Sequence, residues 1–318
     1  MQALRFVDGA LRLEDVPAPR PAAGEVGLRL RTGGVCNTDL ELVRGYMGFN
    51  GTLGHELVAT VDALGPGVDA SWEGARVCVD INFACGRCPT CEAGDPHHCP
   101  HRGVLGIAGR DGAFAERLVA PAANLYRVPD DVSDEAAVFT EPLAAAFEIL
   151  AQVDVDAATR VLVLGDGKLG LLCAFALATT GCDLTLSGRH ARKLALAEAG
   201  GARVTQALGD TRGCDVVVEA TGREAGLAEA QERVRPRGTI VLKSTFAGTP
   251  RVDTNRLVID EVQLVGSRCG PFDRALRALA TGEVDPTPLI DARYPLAEGP
   301  RAMEHAATRG TLKVLLTP

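Results

Sequence analysis

The chain has 318 residues, of which 46% are hydrophobic and 23% charged, and its net charge is −8. That length suits two domains of ordinary size, and an acidic balance with no basic cluster argues against nucleic acid as a partner. The longest apolar run, 169–178, is shorter than the about eighteen residues of a membrane span, and Met1-Gln2-Ala3-Leu4 begins no leader, so a cytoplasmic protein without membrane contact is expected.

The first part reads as short strands at 11–13, 26–30, 57–61 and 76–79, punctuated by Asp8-Gly9, the proline-rich 17–21 and Gly65-Pro66-Gly67. Two short motifs lie among them, Cys36-Asn37-Thr38-Asp39 and Gly54-His55-Glu56. A lone cysteine is usually a buried small hydrophobe and a lone histidine a hydrogen-bonded one, so neither motif carries a function alone. The stretch between them holds Tyr46, Met47 and Phe49, side chains that suit either a substrate mouth or plain packing.

After residue 81 the pattern breaks into Cys85-Gly86-Arg87-Cys88-Pro89-Thr90-Cys91 and then Cys99, a C-x2-C-x2-C-x7-C run. Thiolates two residues apart in tight turns converge on one point, as a tetrahedral metal requires. Gly86, Pro89, Gly94 and Pro96 supply the bends. The run is read as neither strand nor helix, so something other than the backbone ladder must order it. An iron–sulfur cluster would space its fourth cysteine three residues on rather than seven. Disulfides do not suit ten scattered cysteines in a chain long enough to bury a core. A structural zinc fits, which supports a fold without naming a function.

At Ser133 the character changes. Ser133-Asp134-Glu135 caps an alanine-rich helical run through Val138, and Pro142 opens another to about 152. From Arg160 strand and helix alternate: strands at 161–164, 183–186, 215–219 and 239–243, helices at 170–180, 191–199 and 224–234, with a helix at 272–281 leading out. Apolar strands alternating with helices predict a parallel sheet covered on both faces. A helix at 299–307 and a strand at 313–316 close the chain.

Gly165-Asp166-Gly167-Lys168-Leu169-Gly170 is a G-x-G-x-x-G sequence between the first of these strands and its helix. In that context Gly165 makes a tight turn, Gly167 lets a pyrophosphate approach the backbone, and Gly170 packs helix on strand. The second strand ends in Ser187-Gly188-Arg189-His190, with no carboxylate for the ribose hydroxyls of NAD. Arg189 and Ser187 could instead grip a 2′-phosphate, so NADP(H) is expected over NAD(H).

Taken in order, Cys-x-Thr-Asp, Gly-His-Glu, the four-cysteine run, Glu141-Pro142-Leu143-Ala144 and the glycine fingerprint resemble the zinc-dependent medium-chain alcohol dehydrogenases, in particular their polyol and threonine dehydrogenase branch, over essentially the whole chain. The resemblance implies an α/β protein: a GroES-like, β-rich catalytic domain (1–143 and 273–318, with a zinc lobe at about 82–102) and a Rossmann domain (144–272). It implies two zinc ions per chain. One would be catalytic, on Cys36, His55 and either Glu56 or Glu141, and the other structural, on Cys85, Cys88, Cys91 and Cys99. Asp39 would orient the His55 imidazole, and Thr38 would accept the alcohol proton. Leu40 and Glu41 stand where many members carry a relay histidine, which leaves the proton exit open. Thr221, Arg268 and Lys313 match cofactor-contacting positions, Lys313 toward the pyrophosphate. Cys78, Cys173, Cys182 and Cys214 read as buried small hydrophobes.

The resemblance implies hydride transfer between a small alcohol and an aldehyde or ketone, in a homodimer or homotetramer. Two other readings are a non-catalytic zinc- and nucleotide-binding sensor or scaffold, and a zinc-free quinone or enoyl reductase on the same fold. The first has no need of Cys36, Thr38, His55 and Glu141 together. The second lacks the cysteine run that this chain carries.

Overall fold

The computed structural model describes residues 1–245 and 251–318. Among these, no helix is long and apolar enough to cross a membrane. The chain divides into two compact units, Met1–Glu141 with Pro286–Pro318, and Pro142–Asp285.

The first unit is built on a seven-stranded sheet. Its order runs Leu125–Arg127, Arg76–Val79, Glu56–Leu64, Glu25–Gly34, Lys313–Thr317, Ile290–Pro295, with Arg117–Pro121 also paired to Glu25–Gly34. In the long strand Glu25–Gly34, Leu28 and Leu30 are buried while Arg29 and Arg31 are exposed, the alternation of a half-covered sheet. Its apolar face joins Leu57, Ala59, Val61, Val77 and Val79 in one core. A second core gathers Leu4, Leu42, Leu53, Phe114, Met303 and Val314, beneath the helices Asn37–Val43 and Gly299–Ala307.

The cysteine run departs from expectation in one respect. Pro89–Glu92 forms a single helical turn and Pro96–His98 a 3-10 turn. Each opens on a proline, whose fixed φ and missing N–H suit a first helical position. The lobe is tied back to the sheet by His97, whose Nε2 lies 2.5 Å from Oδ2 of the buried Asp80.

The second unit is a six-stranded parallel sheet in the order Arg203–Thr205, Asp183–Ser187, Arg160–Leu164, Cys214–Glu219, Val234–Leu242, Gln263–Gly266. Numbered by sequence this is 3-2-1-4-5-6, so the order reverses between Arg160–Leu164 and Cys214–Glu219, the place where such sheets receive ligands. Both outer strands escaped the sequence reading. They are three and four residues long, too short to show a period, and the edge strand Gln263–Gly266 has mostly exposed side chains.

The helix Phe272–Ala280 lies in this unit, although the expected boundary assigned 273 onward to the first; the chain returns to the first unit only at Pro286. The reason is packing. Phe272, Ala275, Leu276 and Leu279 form a buried stripe, and the Arg274 guanidinium stacks 4.3 Å over the Phe147 ring.

Gly54 has φ +97°, and a Cβ there would sit 2.5 Å from the ring of Phe114, which is fully buried. Gly54→Ala is expected to destabilise the first unit by about 2–4 kcal/mol, through backbone strain and overpacking. Thermal unfolding followed by circular dichroism checks this; an unshifted midpoint would mean that Phe114 moves aside freely.

Candidate metal and nucleotide sites

Cys36 stands where the strand Glu25–Gly34 gives way to the helix Asn37–Val43, as that helix's N-cap. Asp39, in the first turn, reaches back: its Oδ2 accepts the Cys36 N–H at 2.8 Å. Its Oδ1 accepts the Gly54 N–H at 3.1 Å and lies 3.4 Å from His55 Nδ1. Asp39 is fully buried, so one carboxylate sets both the cysteine and the histidine motif. The Thr38 hydroxyl lies 3.7 Å from Cys36 Sγ.

One thiol, one imidazole and one carboxylate converge here. Donor atoms of Cys36, His55 and Glu56 all lie within 4.8 Å of one another, with His55 and Glu56 buried. Burial would lower the His55 pKa, but Asp39 and Cys36 beside it carry it well above its ordinary value. The pocket therefore stabilises positive charge. His55 Nδ1 is buried without a well-formed hydrogen bond among the described residues. A sulfur, a nitrogen and an oxygen donor in an anionic pocket fit a zinc ion.

Glu141 falls outside that trio, but it shares its field. Desolvation, with Glu56 and Asp80, pushes its carboxyl up to about 7 against the pull of His55 and Lys313. Lys313 has a partner that the sequence reading does not name. Its Nζ ion-pairs with Glu56 Oε2, lies 5.3 Å over the Phe139 ring, and the residue is 1% exposed. The ammonium thus balances a candidate metal ligand, a role beside the pyrophosphate contact that the sequence reading gives it. The two meet because Gly34, opposite Glu56 on the neighbouring strand, has no side chain. A Cβ there would lie 2.5 Å from Glu56 Oε2.

The four remaining cysteines of interest also converge. Sγ of Cys88 lies 3.5 Å from Cys91 and 3.8 Å from Cys99, and Cys99 lies 3.6 Å from Cys85. Disulfide sulfurs would stand about 2.05 Å apart, whereas a tetrahedron with metal–sulfur bonds of about 2.3 Å has edges of about 3.8 Å. Backbone N–H groups of Cys85 and His101 point at Cys99 Sγ. The Cys91 N–H, with neighbouring thiols, draws Cys88 down to about 7. Such a set fits zinc.

In the second unit the glycines behave as their spacing predicts. Gly165 has φ +113°, and its Cβ would meet the Ala220 carbonyl at 2.6 Å; that of Gly170 would meet the Gly165 carbonyl at 2.1 Å. Gly167 caps the helix Lys168–Ala178 and faces open space. Thr221 gives its backbone N–H and hydroxyl to Glu219 Oε1, Arg268 is exposed, and Ser187 ends its strand half-buried.

The sequence reading missed Asp166. It found no carboxylate at the end of the second strand, yet Asp166 crosses to that loop from inside the glycine fingerprint and binds the Arg189 and His190 N–H groups at 2.7 and 2.8 Å. An acidic residue between the first two glycines, with Gly188 leaving room for it, was the available signal.

A concavity of about 560 Å³ in the first unit is lined by Arg5, Met47, Phe49, Ile107, Arg110 and Asp111 among others. Met47 and Phe49 therefore face a cavity; Tyr46 is exposed beside them.

Asp39→Asn is expected to weaken a metal held by Cys36 and His55 by about ten- to a hundredfold, since the residue that orients a ligand is lost. Competition against a chromogenic chelator measures this, and an unchanged affinity would remove Asp39 from ligand support.

Residues 22–130 match the alcohol dehydrogenase GroES-like domain. The chain is 30% identical to the 2-dehydro-3-deoxy-L-galactonate 5-dehydrogenase of Pseudoalteromonas atlantica, over 87% of this chain and 86% of that one. It is 29% identical to the sorbitol dehydrogenase of Halalkalibacterium halodurans, over 98% and 96%. Among solved structures it superposes with a TM-score of 0.92 on one described as a zinc-binding dehydrogenase of Sinorhizobium meliloti 1021 bound to NADP, at 30% identity, covering 100% of this chain and 99% of that one. An alcohol dehydrogenase of Escherichia coli CFT073 complexed with NADH gives 0.94 at 27% identity, covering 100% and 99%.

Proposed function

Since the chain belongs to the zinc-type medium-chain alcohol dehydrogenase family, we propose that it is a zinc- and nicotinamide-dependent dehydrogenase of a small alcohol or polyol, running as a carbonyl reductase in reverse. What supports this most is the convergence of Cys36, His55 and Glu56 within 4.8 Å, with the Thr38 hydroxyl 3.7 Å from Cys36 Sγ. The names of the relatives cover a polyol, a hydroxy amino acid and a sugar acid, which makes those the substrates to screen first.

Zinc on these residues would supply Lewis acidity toward the substrate oxygen, and the nicotinamide would take or give the hydride. The chain's own residues do the rest. Cys36 ligates as a thiolate and His55 as a neutral imidazole, whose Nδ1–H is turned toward Asp39 so that Nε2 is free to bind metal. Glu56 is the third ligand, with Lys313 balancing its charge. Glu141 stands by as a carboxyl that gains or loses a proton near neutrality. The Thr38 hydroxyl takes the proton that the alcohol gives up. In the second unit the turn 165–170 receives the cofactor pyrophosphate at the helix N-terminus. Cys85, Cys88, Cys91 and Cys99 hold a second zinc that orders the lobe.

Cofactor choice is contested within one loop. Ser187 and Arg189 favour the 2′-phosphate of NADP(H), and the Asp166 carboxylate opposes it. A homodimer or homotetramer is also proposed. Among the described residues the strand Gln263–Gly266 is the last of its sheet, and Val258, Ile259 and Leu264 are exposed apolar side chains of the same stretch; a second copy would cover such an edge. None of the ten cysteines is joined in a disulfide, in keeping with the reducing cytoplasm proposed for the protein.

Purified protein is expected to hold two zinc ions per chain, one for each convergent set, and one after Cys36→Ser. Elemental analysis reads this directly, and two ions surviving in the variant would remove Cys36 from the ligands. Thr38→Val should keep both ions and lower kcat by about a hundredfold or more. Turnover as fast as the parent's would take Thr38 out of the proton path.

A further inference from the structure

The loop after the strand Asp183–Ser187 receives a carboxylate from elsewhere in the unit. Asp166 Oδ2 accepts the backbone N–H groups of Arg189 and His190, and lies 2.9 Å from His190 Nδ1. The approach depends on Gly188, where a Cβ would stand 2.5 Å from Asp166 Cβ and 2.7 Å from its Cγ. Burial would raise the Asp166 pKa, but the N–H groups of His190 and Arg189 and the His190 ring hold it below the usual carboxylate range. Asp166 is therefore an anion at neutral pH.

Its two oxygens differ. Oδ2 is held by three donors, while Oδ1 has no hydrogen bond among the described residues, and the side chain keeps 12% of its surface. One oxygen is anchored and the other keeps its acceptor capacity unused among the described residues. The Arg189 side chain, by contrast, is exposed and forms no ion pair among the described residues. Its head group stands in solvent, whereas the Asp166 carboxylate is held by its contacts to the loop.

In sheets of this order, the end of the second strand is where the adenosine ribose is read. Ribose hydroxyls donate to a carboxylate, but a 2′-phosphate brings about −1.5 to −2 charges and only acceptor oxygens. It would also compete for the two backbone N–H groups that Asp166 already occupies. We infer that Asp166, reaching the ribose subsite from within the glycine fingerprint, is the residue that reads the adenosine ribose, and that it makes NAD(H) the preferred cofactor over NADP(H). This rests on the dehydrogenase reading above. It reverses the balance drawn from Ser187 and Arg189, because an anchored, partly buried anion beside the 2′ position outweighs a cation exposed to solvent. Arg189 then lies along the edge of the site without choosing between the nucleotides.

The test is a fluorescence titration of the full-length protein with NADH and with NADPH, repeated on Asp166→Asn and Arg189→Ala. The unaltered protein is expected to bind NADH more tightly. Asp166→Asn should shift the NADH-to-NADPH affinity ratio toward NADPH by about ten- to a hundredfold, the scale of a hydrogen bond to a charged group. Arg189→Ala should leave that ratio within about threefold, as expected of an exposed charge. If Asp166→Asn does not fold, the ratio in the unaltered protein decides by itself. Equal or tighter binding of NADPH there overturns the inference and leaves the dehydrogenase reading intact. Selective loss of NADPH in Arg189→Ala, with an unchanged ratio in Asp166→Asn, overturns it as well. Binding of neither nucleotide overturns the dehydrogenase reading and the inference together.

Discussion

A single buried carboxylate, Asp39, organises the first unit's candidate site. It has no contact with solvent, so its charge must be answered by donors within the fold, and an unanswered one would cost several kcal/mol. The donors are the Cys36 and Gly54 N–H groups, with the His55 ring alongside. Two motifs eighteen or so residues apart in sequence are thereby fixed to one point. Gly54 must take a left-handed turn to bring its N–H round, and Phe114 then fills the space that a side chain would have taken. The sheet core and the helix Asn37–Val43 give the carboxylate its place; it, in turn, gives the thiol and imidazole theirs.

The two zinc candidates represent different solutions to ordering donors. The four-cysteine lobe has little apolar content and draws its sulfurs together through tight turns and backbone N–H groups. It borrows rigidity from the sheet through Asp80 and His97. The Cys36, His55 and Glu56 set lies against a packed core, and its ligands are held by the fold itself. A metal would complete the first arrangement and merely enter the second.

Much of this was legible from sequence, for reasons that can be named. Four cysteines in a turn-rich run, buried apolar strands alternating with helices, and glycines at fixed offsets are local patterns, and each has a geometric cause acting within a few residues. Helices such as Ala191–Ala199 and Gly299–Ala307 emerge with the ends that their sequences predict. What escaped was non-local. Arg203–Thr205 and Gln263–Gly266 are strands only because a neighbour offers them an edge. The helix Phe272–Ala280 belongs to the second unit because of Phe147, which no periodicity reveals. The sequence reading gives Asp166 no role within the fingerprint, and it assigns Lys313 to the pyrophosphate without its Glu56 partner. Both acquire their meaning from a partner far along the chain, which local periodicity does not reach.

The Glu56–Lys313 pair has a consequence for the order of events during synthesis. Its members are 257 residues apart in the chain, and the whole parallel-sheet unit lies between them. At ordinary elongation rates the carboxylate leaves the ribosome on the order of tens of seconds before its ammonium partner. During that interval the strand Glu25–Gly34, at Gly33 and Gly34, pairs with Glu56–Leu64 on one side only, and Glu56 cannot be enclosed without stranding its charge. The pocket's charge balance is therefore a late event in the life of the nascent chain, and the second unit has time to fold before the first can close around its own centre.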